Sequence, residues 1–438
     1  MSGQKKILLI ALLITIVSYN PGAIEEVQTV TNKLIPDNVR LINSMSDGEE
    51  YSEVERYIAS FMRRWSIAGA SVAVSKNGKL IYARGFGFAD TLTREEVQPY
   101  HKFRMASVSK LVTATAVMNL AQEGRMSLND KVFGENGILN DPYFSNPKDN
   151  RVYDITVAHL LSHEAGWSQR WGDQMFMPLV IADHMGVELP VDTRTIIRFA
   201  LDKRLHFTPG TGRAYSNLGY AILGLVIQEI AGMEYDEYCN KFILETLGIF
   251  DMTLAHNLPD QKAPFEVTYY VPPDVPLKPS VYGTGELLLP SYGGNDIEAL
   301  GAAGAWLGTA PDLLRLLLAV DGFDSRPDIL NPLSVELMTD NNKGLAPVGW
   351  KTTLDNGTWW RTGSFPGTSG MMRRQPDGTA WVVLLNSSAW NGPEIHSYIN
   401  DLMYRVTTNL RTDPDFDLFN YSLPVPVASG NDGEIFFR

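Results

Sequence analysis

Three short stretches of this chain carry residue types that could do chemistry together. The first is Ser107-Val-Ser-Lys110, a serine and a lysine three positions apart. The apolar run Leu111–Gly124 behind it reads as a helix. Ser107 would then sit at the first turn, with Lys110 on the same face. A serine hydroxyl is a weak nucleophile until a neighbouring base takes its proton. A lysine so placed can be that base or can hold it, and the helix N-terminus adds a positive end beside any oxyanion formed there. The second stretch, Tyr215-Ser-Asn217, puts a phenol and an amide two positions apart, just before a long apolar run. A phenol flanked by cations can lose its proton below its usual pKa of about 10 and serve as a general base. The third, Trp360-Arg-Thr-Gly-Ser364, begins like a strand. Arg361 brings a permanent positive charge, and Gly363 lets a ligand approach the backbone. Taken singly, these would be a helix cap beside a solvated lysine, a helix start and a surface arginine.

The elements that must position them follow from the hydrophobic pattern. A helix is expected near Tyr51–Trp65. The run Ala70–Gly85 reads as two strands joined at Asn77-Gly78, a strong hairpin signal, with the Gly-rich Gly85-Phe-Gly-Phe88 ending the hairpin. Helices are expected over Ile155–His163, with Thr156 as its cap, over Tyr215–Gly232 and over Pro311–Val320. Residues 258–298 are rich in Pro and Gly and read as an extended surface excursion. Strand signals return at Thr358–Gly363 and Thr379–Asn386, and a closing helix is expected over Pro393–Leu410. The simplest assembly is an α+β fold. One antiparallel sheet takes its strands from both ends of the chain and is flanked by helices, with a mainly helical lobe inserted at about 125–300. The cleft between the two parts would hold the site.

The bulk numbers bound the function. With 438 residues, 44% of them hydrophobic and 20% charged, the chain can bury a large core. A formal net charge of −13 argues against a nucleic-acid surface and against an anionic membrane surface. Lys5-Lys6 followed by the apolar run Ile7–Val17 reads as a signal peptide over residues 1–23, with an uncleaved N-terminal anchor as the alternative. The run falls short of the roughly 20 apolar residues a membrane span needs. The expected location is therefore the periplasm or outside the cell. Residues 24–50 read as a linker, 51–411 as the domain and 412–438 as a polar tail. Cys239 is the single cysteine, which excludes an intrachain disulfide and a cysteine metal cluster.

Ser107-x-x-Lys110, Tyr215-x-Asn217 and Arg361-Thr362-Gly363 resemble, in order and spacing, the serine beta-lactamase / penicillin-binding-protein superfamily. The resemblance is to the class C beta-lactamase-related branch, with its D,D-peptidases, D-aminopeptidases and family VIII esterases. His159-Leu-Leu-Ser-His-Glu-Ala-Gly166 and Ala303-Gly-Ala-Trp-Leu-Gly-Thr-Ala-Pro-Asp312 are similar to that branch too, and the match runs from about Glu53 to about Leu410. The resemblance implies a beta-lactamase/transpeptidase-like α/β sandwich. It also implies roles: Ser107 as acyl-forming nucleophile, Lys110 and Tyr215 sharing its proton, and Asn217 orienting Lys110 and the substrate. The backbone N–H groups of Ser107 and Ser364 would form an oxyanion hole. Which of Lys110 and Tyr215 is the base stays open.

Arg361 departs from the pattern, where Lys or His is usual. An arginine can grip a substrate carboxylate with two prongs but cannot share a proton with Tyr215. That keeps carboxylate binding through Arg361 and Thr362 in view and argues against efficient beta-lactam hydrolysis. His159 and His163 are spaced to share a helix face, as zinc ligands can be. Leu160 stands where a zinc motif needs Glu, so no metal or cofactor is expected. Trp167, Trp171 and Met175 could line a substrate pocket or pack in the core. The leading expectation is an exported serine hydrolase cleaving an ester or a peptide or amide bond in a small molecule or peptide. The alternative is a catalytically weak binding or sensor protein, suggested by Arg361 together with residues 258–298, which could obstruct the cleft.

Overall fold

The computed structural model describes residues 40–170, 172–410 and 416–420. The predicted signal peptide, the first part of the linker, Trp171 and most of the tail lie outside them.

The described residues from Leu41 to Asn420 form one unit. Its organising layer is a seven-stranded antiparallel sheet of β1 (Gly69–Lys76), β2 (Lys79–Asp90), β3 (Glu95–Glu96), β4 (Thr352–Thr353), β5 (Trp359–Phe365), β6 (Thr368–Arg374) and β7 (Thr379–Leu385), in the order β3-β2-β1-β7-β6-β5-β4. The hairpin turns at Asn77 (φ 49°) and Gly78 (φ 77°), the left-handed pair that a two-residue turn matched to strand twist requires. Contrary to expectation, β2 does not stop at Gly85. Phe86 and Gly87 go on pairing with Ala70 and Gly69. The two ends of the chain meet where β1 pairs with β7, from Ala70 opposite Leu385 to Lys76 opposite Thr379.

Alternation sends successive side chains to opposite faces. Val72, Val74, Trp381, Val383 and Leu385 join a core with α1 (Ser52–Trp65) and the last helix, Ile395–Asn409. Ala73, Val382, Leu384 and Met372 join the larger core, which takes in α2 (Lys110–Gln122), α3 (Val157–Leu161), α4 (Asn217–Ala231) and α5 (Ala310–Leu318); the closing helix is α6. Helix α2 is buried on every side from Lys110 to Leu120, as its nearly unbroken apolar sequence demands. The lobe between β3 and β4 is mainly helical, as the pattern predicts. The 258–298 stretch is less exposed than its composition suggests, with Val267, Tyr269, Val281 and Ile297 all buried.

The domain is longer at both ends than the sequence implied. Asn43 donates to the Val97 carbonyl at 2.8 Å and accepts from the Gly85 N–H at 2.8 Å, while Ser46 Oγ accepts from the Ala83 N–H at 3.1 Å. Asn43–Ser46 of the expected linker therefore lie against β2. Within the expected tail, Leu418 and Phe419 are buried. Asp417 accepts from the Leu80 N–H at 2.9 Å and from Arg326 at 2.8 Å. Asp417→Ala would leave a buried N–H and a guanidinium without their acceptor. The expected cost is about 1–3 kcal/mol, read as a lowered urea midpoint at unchanged slope. An unchanged midpoint would show that this segment does not brace the hairpin.

Candidate active site

The turn that carries Ser107 is clamped from two sides. Ala106–Ser109 form one 3-10 turn that leads into α2. Ala106 is held at φ 47°, left-handed for a residue with a Cβ, at a cost of about 1–2 kcal/mol. Ser109 Oγ accepts from the Trp306 N–H at 3.2 Å, and the Met105 N–H donates to the Trp306 carbonyl at 2.9 Å. β5 presses from the other side. A Cβ on Gly363 would lie 2.3 Å from the Met105 carbonyl oxygen and 3.0 Å from the Ser107 nitrogen. Both neighbours are backbone and cannot yield cheaply. Gly363→Ala is expected to push the turn off β5, so that Ser107 reactivity falls at least about tenfold, since a displacement near 1 Å can cost a hundredfold. The check is the rate of covalent labelling at Ser107; a wild-type rate would show that the contact is slack.

The other two predicted stretches converge on Ser107. Its Oγ lies 2.6 Å from Tyr215 Oη and 3.3 Å from Lys110 Nζ. Ser216 caps α4 by accepting from the Gly219 N–H at 3.0 Å, which sets Tyr215 just outside the helix and Asn217 at its first position. Lys110 is fully buried. Its ammonium meets three acceptors: Asn217 Oδ1 at 2.7 Å, the Ala303 carbonyl at 2.5 Å and Ser107 Oγ. Three acceptors match the three hydrogens of the charged form. Burial pulls the Lys110 pKa down, helped by Arg361 and opposed by the charges of Tyr215 and Asp173, to about 8. For Tyr215 burial pushes upward, but the positive charges of Lys110 and Arg361 and the hydrogen bonds to its oxygen outweigh it and bring the phenol down to about 8. Tyr215 keeps 39% of its surface exposed and lines the cleft.

Arg361 differs most from its sequence reading. It is 2% exposed. Nε donates to the Ser107 carbonyl at 2.7 Å, and the terminal nitrogens donate to the Trp350 carbonyl at 3.4 Å and to Tyr215 Oη at 3.3 Å. The guanidinium is built into the frame of the site, bracing the turn that carries Ser107 and donating to Tyr215, with three of its five N–H groups engaged in these bonds.

The profile of the family described as Beta-lactamase matches residues 54–402. The chain belongs to the beta-lactamase family. Members of that family are usually serine hydrolases, which supports a serine-hydrolase-like function here. Among relatives of this beta-lactamase family chain, Protein flp of Staphylococcus aureus (strain N315) is 28% identical over 200 residues, 45% of this chain but only 37% of that protein. The chain thus spans little more than a third of that relative's length. Among solved structures, the octameric penicillin-binding protein homologue from Pyrococcus abyssi aligns with a TM-score of 0.60 at 25% identity, covering 81% of this chain and 77% of that one. D-amino acid amidase from Ochrobactrum anthropi SV3 aligns with a TM-score of 0.61 at 21% identity, covering 83% and 98%, a likeness of fold.

In this family member the site opens into a cleft of about 480 Å³. Ser107, Tyr215, Asn217, Arg361, Thr362 and Ser364 line it together, with Phe176, Leu300 and Phe365 as apolar wall. No residue of 258–298 lines it. Trp167 and Met175 are buried in the core instead, and Phe176, next to Met175, takes the wall position. His159 and His163 part company. His159 closes a capping box with Thr156 at the start of α3. His163 turns toward the site, where Nδ1 accepts from the Ser216 N–H at 3.3 Å and the ring lies 4.8 Å from that of Tyr215. Burial, then the nearby charges of Arg361, Lys110 and Arg213, hold it neutral, well below the usual histidine range. Among the described residues no group of three or more His, Cys, Asp or Glu could hold a metal, and no helix is long and apolar enough to cross a membrane.

Sequence reasoning missed Gln169, Asp173, Lys351 and His396, which also line the cleft. Only Asp173 had a local signal: its Oδ1 accepts from the Met175 N–H at 3.1 Å, a capping pattern that the Asp-Gln-Met order suggests.

Proposed function

We propose that this chain is a serine hydrolase that cleaves an ester or a peptide or amide bond through an acyl-enzyme on Ser107. The observation that carries the reading is Ser107 Oγ at 2.6 Å from a phenol that lies between two cations. Ser107 Oγ attacks the substrate carbonyl carbon while its proton passes to the Tyr215 phenolate. The tetrahedral oxyanion faces the N–H groups of Ser107 and Ser364; losing one such donor typically costs about 2.7–4 kcal/mol of barrier. The carbon–oxygen or carbon–nitrogen bond then breaks, and Tyr215 returns the proton to the leaving group. Water, deprotonated by the same phenolate, attacks the acyl-enzyme; as the acyl carbon–Oγ bond breaks, Tyr215 returns that proton to Ser107 Oγ, and the carboxylic acid product leaves. Lys110 stays protonated throughout and supports the phenolate electrostatically.

A bulky neutral or weakly polar acyl group suits the Phe176, Leu300 and Phe365 wall. Arg361 in place of a lysine or histidine argues against beta-lactams as good substrates, since an arginine cannot share a proton with Tyr215. The weak-binder alternative drew on Arg361 and on obstruction by residues 258–298; its second ground is removed, since none of those residues lines the cleft. Export to the periplasm or beyond the cell, read from the apolar segment near Lys5-Lys6, is part of the same proposal. Intact-mass analysis after a fluorophosphonate probe tests the reading. One adduct of probe mass is expected on folded protein, and its absence at high probe concentration would refute the acyl-enzyme.

A further inference from the structure

Asn217 stands between two groups with opposite needs. Lys110 Nζ offers hydrogens and requires an oxygen; Asp173 offers lone pairs and requires an N–H. The amide satisfies both in one orientation only, with Oδ1 toward Lys110 at 2.7 Å and Nδ2 toward Asp173 Oδ2 at 2.6 Å. Flipped, it would set N–H against ammonium and carbonyl against carboxylate. Asp173 is itself held in place, since Gln169 donates to the same Oδ2 at 2.7 Å and the Met175 N–H donates to Oδ1 at 3.1 Å. It is the sole acid among the described residues that line the cleft.

We propose that Asp173 is a positioning residue of this site: it locks the Asn217 oxygen toward Lys110 and, with its own charge, keeps the proton shared by Lys110 and Tyr215 on the lysine. The proposal rests on the acyl-enzyme reading, in which Tyr215 must be the partner that lacks the proton. The charged and titratable groups facing the pair are few. Arg361 comes from β5, His163 from the segment after α3 and Tyr220 from α4. Arg213 is paired with Glu164 at 3.0 Å, and Lys351 and His396 stand on the cleft wall. All the cations in this set favour the phenolate, but Arg361 also disfavours a charged Lys110. Beyond the charge of Tyr215 itself, Asp173 is the group that offsets this, acting on Lys110 through a hydrogen-bonded amide.

Two substitutions separate the parts of the claim. Asp173→Asn keeps the cap on Met175 and an acceptor for Asn217 but removes the charge; Asp173→Ala removes both. On a neutral p-nitrophenyl ester, kcat is expected to fall about tenfold for Asn and about a hundredfold for Ala, the scale of a lost charge-assisted hydrogen bond, with KM held within about threefold. The second readout does not depend on turnover. Tyrosinate absorbance is titrated against pH, with Tyr215→Phe identifying the Tyr215 signal. Both variants are expected to lose amplitude from the lower-pH step, because the pair now releases that proton from the lysine. Unchanged amplitude in both variants would overturn the proposal, as would a raised KM with wild-type kcat, the mark of a substrate contact. A wild-type protein that shows the tyrosinate step but turns over no ester would refute the acyl-enzyme reading and leave the role of Asp173 standing, so the two fail separately.

Discussion

Ser107→Ala is expected to lower ester turnover at least about a thousandfold, since removing the nucleophile of a serine hydrolase can cost about a millionfold in kcat. It should also erase the fluorophosphonate adduct. The loss should come without a change of fold. Ser107 is partly exposed, its side chain bonds only Tyr215 and Lys110 among the described residues, and the turn that carries it is held by contacts to the Trp306 backbone and by Arg361 on its carbonyl. Melting should therefore stay within the roughly 0.5 kcal/mol typical of a substitution that empties no core space. The measurement is turnover and intact mass on one preparation. Turnover that survives in Ser107→Ala would mean that a different nucleophile does the work.

Replacing Arg361 should have the next largest effect, and a different signature. Arg361→Met removes a buried cation that donates to the Ser107 and Trp350 carbonyls and to Tyr215 Oη. The buried Trp350 carbonyl loses this donor, at about 1–3 kcal/mol before relaxation, and the Ser107 carbonyl keeps the Lys110 N–H. Turnover should fall about a hundredfold or more, on the scale of a lost electrostatic donor. The pH profile carries the sharper test. Arg361 lowers the pKa of both Tyr215 and Lys110. Without it the pair holds its protons to higher pH, so the limb of kcat/KM that rises as the phenol ionises, near pH 8 in the wild type, should move upward. Arg361→Lys keeps the charge and loses the fork, so its limb should move less while its rate still drops. A neutral ester should be used, so that no substrate carboxylate confuses charge with binding. A limb that stays put in Arg361→Met would show that this charge does not tune Tyr215.

The arginine also shows where sequence reasoning stops. Ser107, Lys110, Tyr215 and Asn217 were legible because each is a rare chemical type at a fixed short spacing, in a chain whose order places them around one cleft. Arg361 was legible as a member of that set but not in its role. Its partners are backbone carbonyls of Ser107 and Trp350, and main-chain acceptors leave no mark in a sequence. Asp173 was hidden for a related reason: its link to Asn217 crosses from one loop to a helix start, and only packing brings them together. The sheet was legible in β1, β2, β5 and β7, whose apolar runs are flanked by turn residues. β6 was not, since it begins Thr-Ser-Gly and ends Arg-Arg, and reads as polar. Arg374 is nonetheless buried there, its guanidinium 4.2 Å from the Trp359 ring and 3.7 Å from the Phe323 ring, with Nε on the Asp321 carbonyl. Stacking and a main-chain acceptor make an arginine acceptable in a core that its charge alone would exclude.

The pairing of β1 with β7 has a consequence in time. On the ribosome, β1 and β2 emerge early, but the neighbour of β1 is encoded roughly 300 residues later, on the order of 15–60 s of synthesis at 5–20 residues per second. Throughout that interval the hairpin presents an open edge at β1, and the sheet face that will receive α5 is bare. An open apolar edge is a template for pairing with the wrong chain. The sheet can close only after the helical lobe has been made, so a pause or truncation before Thr379 should yield insoluble chains rather than a smaller folded core.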